Sequence, residues 1–368
     1  MILNLMKSAM VFPSIDSEKA ISNYSLNLVN AQNKLGNKME KITYVAGSSK
    51  SLFNKINVLK NYDLIHIQHE YNLLGGFGLP FFFLYFYLRL SKVKVVTTMH
   101  TVLSQNEKFK SGKLKTFLRK VLYRTQNRVI RNVSDKIIVH ANFFKDILER
   151  EYSIEGKKIS VLPQAILEGV KTMDKVKAKK ELKLSGPVYL VIGSLVPDHG
   201  ADIVIRQAKN FGKTVLIVAN NRAVNDRNDT RIADWLNFNK ELVKQNKFEK
   251  YVRFDIKDLP DELWWKYFSA ADVVILPYKG GIGSGIFADA IAARKPIIGS
   301  NIQFFNEFAK KWGFIKVAKE EKDFPKLAKE ILKKENYSKT IKECERYAKS
   351  YGTIGLSKKY FKLYSSIK

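Results

Sequence analysis

The chain has 368 residues and carries 64 Lys+Arg against 35 Asp+Glu, a formal charge of +29. That length exceeds the ~250–300 residues at which a single core stops growing, so two domains are expected, and a hydrophobic content of 45% excludes a disordered chain. The single cysteine, Cys344, excludes an intramolecular disulfide framework and a cysteine-built zinc site, and suits a reducing compartment.

In chain order, short Val/Ile-rich runs alternate with helical patterns. The N-terminus lacks a basic region and a cleavage site, so it reads as a buried strand (Leu3–Phe12) instead of a signal peptide. Further strands are expected at Ile42–Ala46, Leu64–Gln68, Lys94–Met99, Lys136–His140 and Ile159–Leu162. Polar side chains gather at strand ends in IHIQHEYN (65–72) and TTMHT (97–101), with GGFG (75–78) between them. His66 and His69 have i, i+3 spacing at a strand-to-loop junction, which is not the helical i, i+4 geometry of a zinc motif, so no metal site is expected. His66 alternates with apolar neighbours and reads as a satisfied core residue. The apolar run Leu79–Leu88 is about half of the ~20 residues that a spanning helix needs.

Lys108 to Arg131 holds nine cations and no acid. Leu114, Phe117, Leu118, Val121 and Leu122 fall on one helical face, flanked by Lys113, Lys115, Arg119, Lys120 and Arg124. The pattern predicts either an ordinary core-facing helix or, as we expect from the uninterrupted charge and the aromatic run just upstream, docking on an anionic membrane.

After a linker (Pro163–Ser185) the strand series restarts at Val188–Ile192, Thr214–Ala219, Val252–Phe254, Val273–Leu276 and Ile297–Gly299. Two such series imply an α/β chain of two doubly wound domains with parallel sheets, at residues 1–168 and 169–350. Residues 351–368 form a separate helical pattern (Leu356, Tyr360, Leu363, Tyr364) that packs on its own domain or crosses back to the first.

Two segments of the second domain carry chemistry. In Pro277-Tyr278 followed by residues 283–298, glycines 280, 281, 283 and 285 let backbone approach a ligand, and a helix start near Ser284 offers free amides to an anion. Asp289 on that helix can accept a pair of hydrogen bonds from a ribose diol. In GSLVPDHG (193–200), Ser194 and His199 are candidate phosphate donors. No GxxxxGK[ST] loop and no GxGxxG after the first strand appear, which argues against NTPase and dehydrogenase readings. Asp226 to Asp229 sit in a polar stretch and make a poor metal-binding D-x-D.

Several segments in order, DLIHIQHEY (63–71), TMHT (98–101), DKIIVH (135–140), VLPQAI (161–166), GSLVPDHG (193–200) and above all SGIFADAIAARKP (284–296), make the chain resemble a family 4 GT-B glycosyltransferase over nearly its full length. The resemblance implies two Rossmann-like domains facing across a cleft and a retaining, metal-independent transfer from a UDP- or GDP-linked sugar to a glycan or lipid-linked acceptor, with no cofactor. It places His100 beside the reaction centre, His199 with a catalytic and donor-binding role, and His69 and Glu70 on the acceptor side. Asp289 stands for the ribose-binding second acid of the family's E-x7-E motif. The first acid falls on Gly281, and the phosphate-binding Arg and Lys fall on Ser194 and His199. Lys279 is expected to supply the missing positive charge, and the amides of Ser284, Gly285 and Ile286 to hold the diphosphate. A peripheral location on the cytoplasmic face of the membrane follows. The rivals are a catalytically weak glycosyltransferase-like subunit, a sugar-nucleotide epimerase and, with no recognisable binding module, a nucleic-acid binder.

Overall fold

The computed structural model describes residues 6–107, 112–225, 230–280 and 283–367. Gly281, the Asp226–Asp229 stretch, Lys108 and the beginning of the first expected strand lie outside the described residues. The chain divides into two units: residues 1–165 with 353–368, and residues 166–352.

In the first unit, β1 (Ser8–Pro13), β2 (Met39–Tyr44), β3 (Leu64–His69), β4 (Lys94–Met99), β5 (Lys136–Val139) and β6 (Ile159–Val161) form one sheet in the order β2-β1-β3-β4-β5-β6. Every pairing is parallel, with registers such as Ser8↔Leu64 and Leu64↔Lys94. A parallel strand covered by helices on both faces cannot alternate apolar with polar, and β1 and β3 are accordingly buried at every position. The terminal helix Thr353–Ser365 packs on the Lys19–Lys34 helix of this unit. Its i, i+4, i+7, i+8 residues Leu356, Tyr360, Leu363 and Tyr364 are all buried.

In the second unit, β7 (Val188–Ile192), β8 (Thr214–Asn220), β9 (Val252–Lys257), β10 (Val273–Leu276), β11 (Ile297–Ser300) and β12 (Ile315–Ala318) run parallel in the order β12-β11-β10-β7-β8-β9. Sequence reading missed β12, whose pattern is broken by the exposed Lys316. The unit's core joins Tyr189, Val191, Ile217 and Ile275 of the sheet to Val204, Phe211 and Phe324 of its helices. The buried Lys295 donates to the carbonyls of Ser269 and Ala271 (2.9 Å each), closing the end of the Asp261–Ala270 helix, and burial lowers its ammonium to about 8. No helix among the described residues is long and apolar enough to cross a membrane.

Candidate active site

In a doubly wound sheet, ligands sit at the carboxyl ends of the strands where the strand order reverses. In the second unit that point lies between β7 and β10, and the loops that follow these two strands are the two Gly-rich segments. They are pressed together. A Cβ on Gly200, at φ +67°, would lie 2.0 Å from the Pro277 carbonyl oxygen, and one on Gly193 would meet the Ile286 side chain at 3.2 Å. The Lys279 amide donates to the Asp198 carbonyl (2.9 Å).

A helix, Gly285–Ala292, starts from this junction. Ser284 is its N-cap in extended conformation, its Oγ accepting from the Phe287 amide at 3.1 Å. That leaves the amides of Gly285 and Ile286, in the first turn, without an intrahelical acceptor, at the positive end of the helix dipole. Tyr278 ties the two loops together. Its hydroxyl lies 2.9 Å from Ser284 Oγ and its ring stacks on His199 at 4.6 Å. His199 Nδ1 in turn donates to the Ser194 carbonyl (2.7 Å). Ser194 itself is exposed.

Asp289 lies one turn into the helix, and Trp264 Nε1 donates to its Oδ2 (3.1 Å). Burial pushes this carboxyl up to about 7, the Trp264 bond opposing and Asp261 adding to the rise. Lys279 does not supply a free cation here. Its ammonium lies 3.0–3.1 Å from both oxygens of the buried Asp202 and 5.0 Å above the Trp235 ring. Asp202, which also pairs with Arg206 at 2.8 Å, is a buried carboxylate that requires such cationic partners. Asp255 is closed by a two-bond pair with Arg253 and by the Tyr267 hydroxyl (2.9 Å).

The first unit is built differently. His66 is satisfied on both nitrogens, by the Tyr364 hydroxyl and Thr98 Oγ1 (2.7 Å each), and burial lowers it to about 3. His140 Nδ1 faces the Leu162 carbonyl (2.9 Å), which can only accept, so that nitrogen carries the proton. Burial lowers the pKa of both His140 and His100, with His140 a further cause for His100, so both rings are neutral. His100 Nε2 donates to Gln68 Oε1 at 2.8 Å, and its Nδ1 lies 3.3 Å from His140 Nε2. His100 thus has Gln68 and His140 beside its two ring nitrogens inside this unit. Tyr24 packs edge-on against His100 and His140 and bonds Tyr360 (2.7 Å).

His69, expected on the acceptor side, is instead a core side chain. It is fully buried, 4.5 Å from the Phe81 ring and against Tyr71 and Tyr85, and burial lowers it to about 3. It is the last residue of β3, which is buried at every position because both faces of the sheet are covered. Glu70, one residue on, leaves the sheet half-buried; burial raises its carboxyl, and the Thr101 hydroxyl and Tyr71 amide oppose the rise. Among the described residues no group of three or more His, Cys, Asp or Glu is placed to hold a metal.

The basic helix, Lys113–Val133, carries seven cations and no acid. Its apolar face does not face the core. Leu114 is 72% exposed, Phe117 63% and Leu118 58%, while the buried side chains are Gln126, Asn127 and Ile130. Gln126 donates to the Gly78 carbonyl (3.0 Å) and Asn127 Oδ1 accepts from the Tyr71 hydroxyl (3.0 Å), so polar anchors replace apolar packing. Lys113 and Lys115 are exposed; Arg119, Lys120 and Arg124 are half-buried, with Arg124 donating to the Gln105 carbonyl (2.9 Å).

Residues 35–166 match the model of Glycosyltransferase Family 4, and residues 172–351 that of Glycosyl transferases group 1. The chain is a family 4-like GT-B glycosyltransferase. No curated protein sequence matches it. Its fold is similar to Anabaena HepE, solved with UDP (TM-score 0.74, 12% identity, 98% of this chain and 100% of that one). Sucrose-phosphate synthase from Thermosynechococcus elongatus is comparable (0.73, 16%, 98% and 99%). So is WaaG, a glycosyltransferase involved in lipopolysaccharide biosynthesis (0.65, 12%, 97% and 99%).

Two contacts of this glycosyltransferase were missed in the sequence. Trp264 lies 25 residues before Asp289, on another helix, and no local motif joins them. Tyr278 was visible beside the Gly-rich loop, but nothing in the sequence said that its hydroxyl reaches Ser284.

Proposed function

We propose that this glycosyltransferase moves a sugar from a UDP- or GDP-linked donor to a glycan or lipid-linked acceptor, with retention of configuration, without a metal, at an anionic membrane surface on the cytoplasmic side. The carrying observation is the Ser284-capped helix start with Asp289 one turn behind it. A diphosphate at the Gly285 and Ile286 amides meets a positive helix end, which stabilises the charge that develops as it leaves. The bond from the anomeric carbon to phosphate oxygen breaks, the acceptor oxygen bonds that carbon on the same face, and the phosphate oxygen takes the acceptor's proton. Asp289 accepts from the ribose diol through Oδ1 and the oxygen that Trp264 already orients. HepE solved with UDP and with UDP-glucose supports a nucleotide-sugar donor, and WaaG, a glycosyltransferase involved in lipopolysaccharide biosynthesis, supports a glycan acceptor.

Asp289→Ala should remove a charge-assisted bond worth about 1.5–3 kcal/mol and weaken nucleotide binding ~10–150-fold by calorimetry; unchanged affinity would defeat the assignment. NMR of the product from a donor of known anomer, in excess EDTA, checks retention and metal independence together. The exposed apolar face and cations of the basic helix support membrane docking, each cation near an acidic leaflet contributing about 1 kcal/mol. Wild type should co-sediment with anionic liposomes at low salt, and the Arg119→Glu, Lys120→Glu, Arg124→Glu triple variant should not.

The engagement of Lys279 by Asp202 favours a second reading, a binding subunit with weak turnover. Nucleotide release with an acceptor present separates the two.

A further inference from the structure

The helix Leu79–Leu90 is apolar all round, which is the composition of a helix covered on every side. The first unit covers only one face. Phe81, Leu84, Tyr85 and Leu88 are buried, whereas Leu79, Phe83, Phe86 and Leu90, at i, i+4, i+7 and i+11, share the opposite face and are 52–67% exposed. This helix packs beside the basic helix, and where the two meet they line an open groove of about 970 Å³. Phe82, Phe83, Phe86, Val129 and Val133 form its apolar wall.

The rim is cationic. Arg89 donates to the Asn132 carbonyl (3.2 Å), Arg131 to the Tyr152 carbonyl (3.2 Å), and Lys158 to the Arg131 and Ser134 carbonyls (3.0 and 3.2 Å). Among the described residues none of the three forms a salt bridge; the one acid in the lining, Glu155, is paired with Lys157 at 2.6 Å. Carbonyls fix the three cations in place without neutralising them. An apolar trough of ligand-site size, rimmed by fixed cations that outnumber its one acid, Glu155, which Lys158 and Lys157 both face, matches an amphiphile with a chain and an anionic head.

We propose that this groove binds one anionic phospholipid, its chain against Phe82, Phe83 and Phe86 and its phosphate at Arg89, Arg131 and Lys158. The inference deepens the membrane reading above, on which it rests: charge on the basic helix brings the protein to the surface, and the groove takes hold of a single lipid. The two are separable by experiment.

Leu90→Cys, at the groove edge, is labelled with an environment-sensitive dye; the native Cys344 is buried and stays unlabelled. The labelled protein is titrated, below micelle formation, with dihexanoyl-phosphatidylglycerol, dihexanoyl-phosphatidylcholine and inorganic phosphate. Saturable response to phosphatidylglycerol, at least tenfold weaker to phosphatidylcholine and absent with phosphate, is expected. Phe83→Glu with Phe86→Glu, both at exposed positions, should abolish the response with the thermal midpoint unchanged, and Arg89→Gln with Arg131→Gln should weaken it at least tenfold. No response to phosphatidylglycerol, equal response to both lipids, or insensitivity to the Phe substitutions overturns the proposal. Liposome sedimentation reads docking separately. Vesicle binding without the dye response defeats the groove alone, and the dye response without vesicle binding defeats docking alone.

Discussion

The two sheets have the same parallel, six-stranded plan, yet their carboxyl ends are finished in opposite ways. In the first unit, His66, His100, His140, Gln68, Tyr24, Tyr360 and Tyr364 form a chain of neutral hydrogen-bonding groups satisfied by one another. In the second, loops interlocked at Gly200 and Pro277 leave the Gly285 and Ile286 amides and one oxygen of Asp289 available. A saturated polar network fixes geometry, because every member would be costly to leave unpaired. A helix start whose first amides lack intrahelical acceptors is suited to bind an anion. In the reading proposed above, one unit acts as a frame and the other holds the anionic ligand.

Removing residues 353–368 tests the frame most severely. Four buried side chains at about 1.5–3 kcal/mol each come to about 6–12 kcal/mol, comparable with the ~5–15 kcal/mol that holds a domain together. Calorimetry should show the first unit's transition lost and the second's retained.

Gly200→Val breaks the holder. A left-handed backbone position costs an L-residue roughly 1–2 kcal/mol, and the clash with the Pro277 carbonyl adds to it. The second unit should lose about 3 kcal/mol or more in denaturant melts, and nucleotide binding should disappear.

A smaller effect separates the two kinds of titratable group. The carboxylate form of Asp289 accepts from two hydroxyls and the protonated form does not, so with its pKa raised to about 7 nucleotide affinity should rise from pH 6 to pH 8. Asp289→Asn should flatten that profile. Burial lowers His140 from the usual imidazole range, away from this window, so His140→Gln should leave the profile's shape unchanged. Smallest of all, Ser284→Ala removes one cap, about 1 kcal/mol of stability in the second unit, and unhooks Tyr278.

Burial explains how much of this could be read beforehand. The central strands such as β1, β3, β7 and β10 announce themselves because a parallel strand covered on both faces must be buried throughout, whereas β12 is a four-residue edge strand with an exposed Lys316. The Ser284 to Asp289 segment is legible for a local reason: cap, free amides and acid all lie within six residues of one helix. His69 misleads because polarity in a sequence does not reveal which side of a sheet a residue faces. The basic helix misleads in the reverse sense: amphipathic spacing shows that a stripe exists but not that Gln126 and Asn127, through Gly78 and Tyr71, turn it outward. Lys279 looked free because its partner Asp202 lies 77 residues away.

The return of the terminal helix also governs how the molecule is made. The second unit leaves and re-enters at one place: the Ile166 amide bonds the Tyr351 carbonyl at 2.9 Å, and Ile166 bridges Gly352. It is thus an insertion with adjoining ends, able to close as soon as residue 352 has emerged from the ribosome. The first unit, although its strands are synthesised earlier, waits for the final thirteen described residues of its helix to supply Tyr360 and Tyr364 to Tyr24 and His66. Such a dependence would invert the usual N-to-C order of domain folding. The nascent chain must carry an open-sided sheet, with its buried imidazoles unpartnered, through the whole of the second unit's synthesis, and a stalled or clipped C-terminus leaves the first unit unfinished and the second complete.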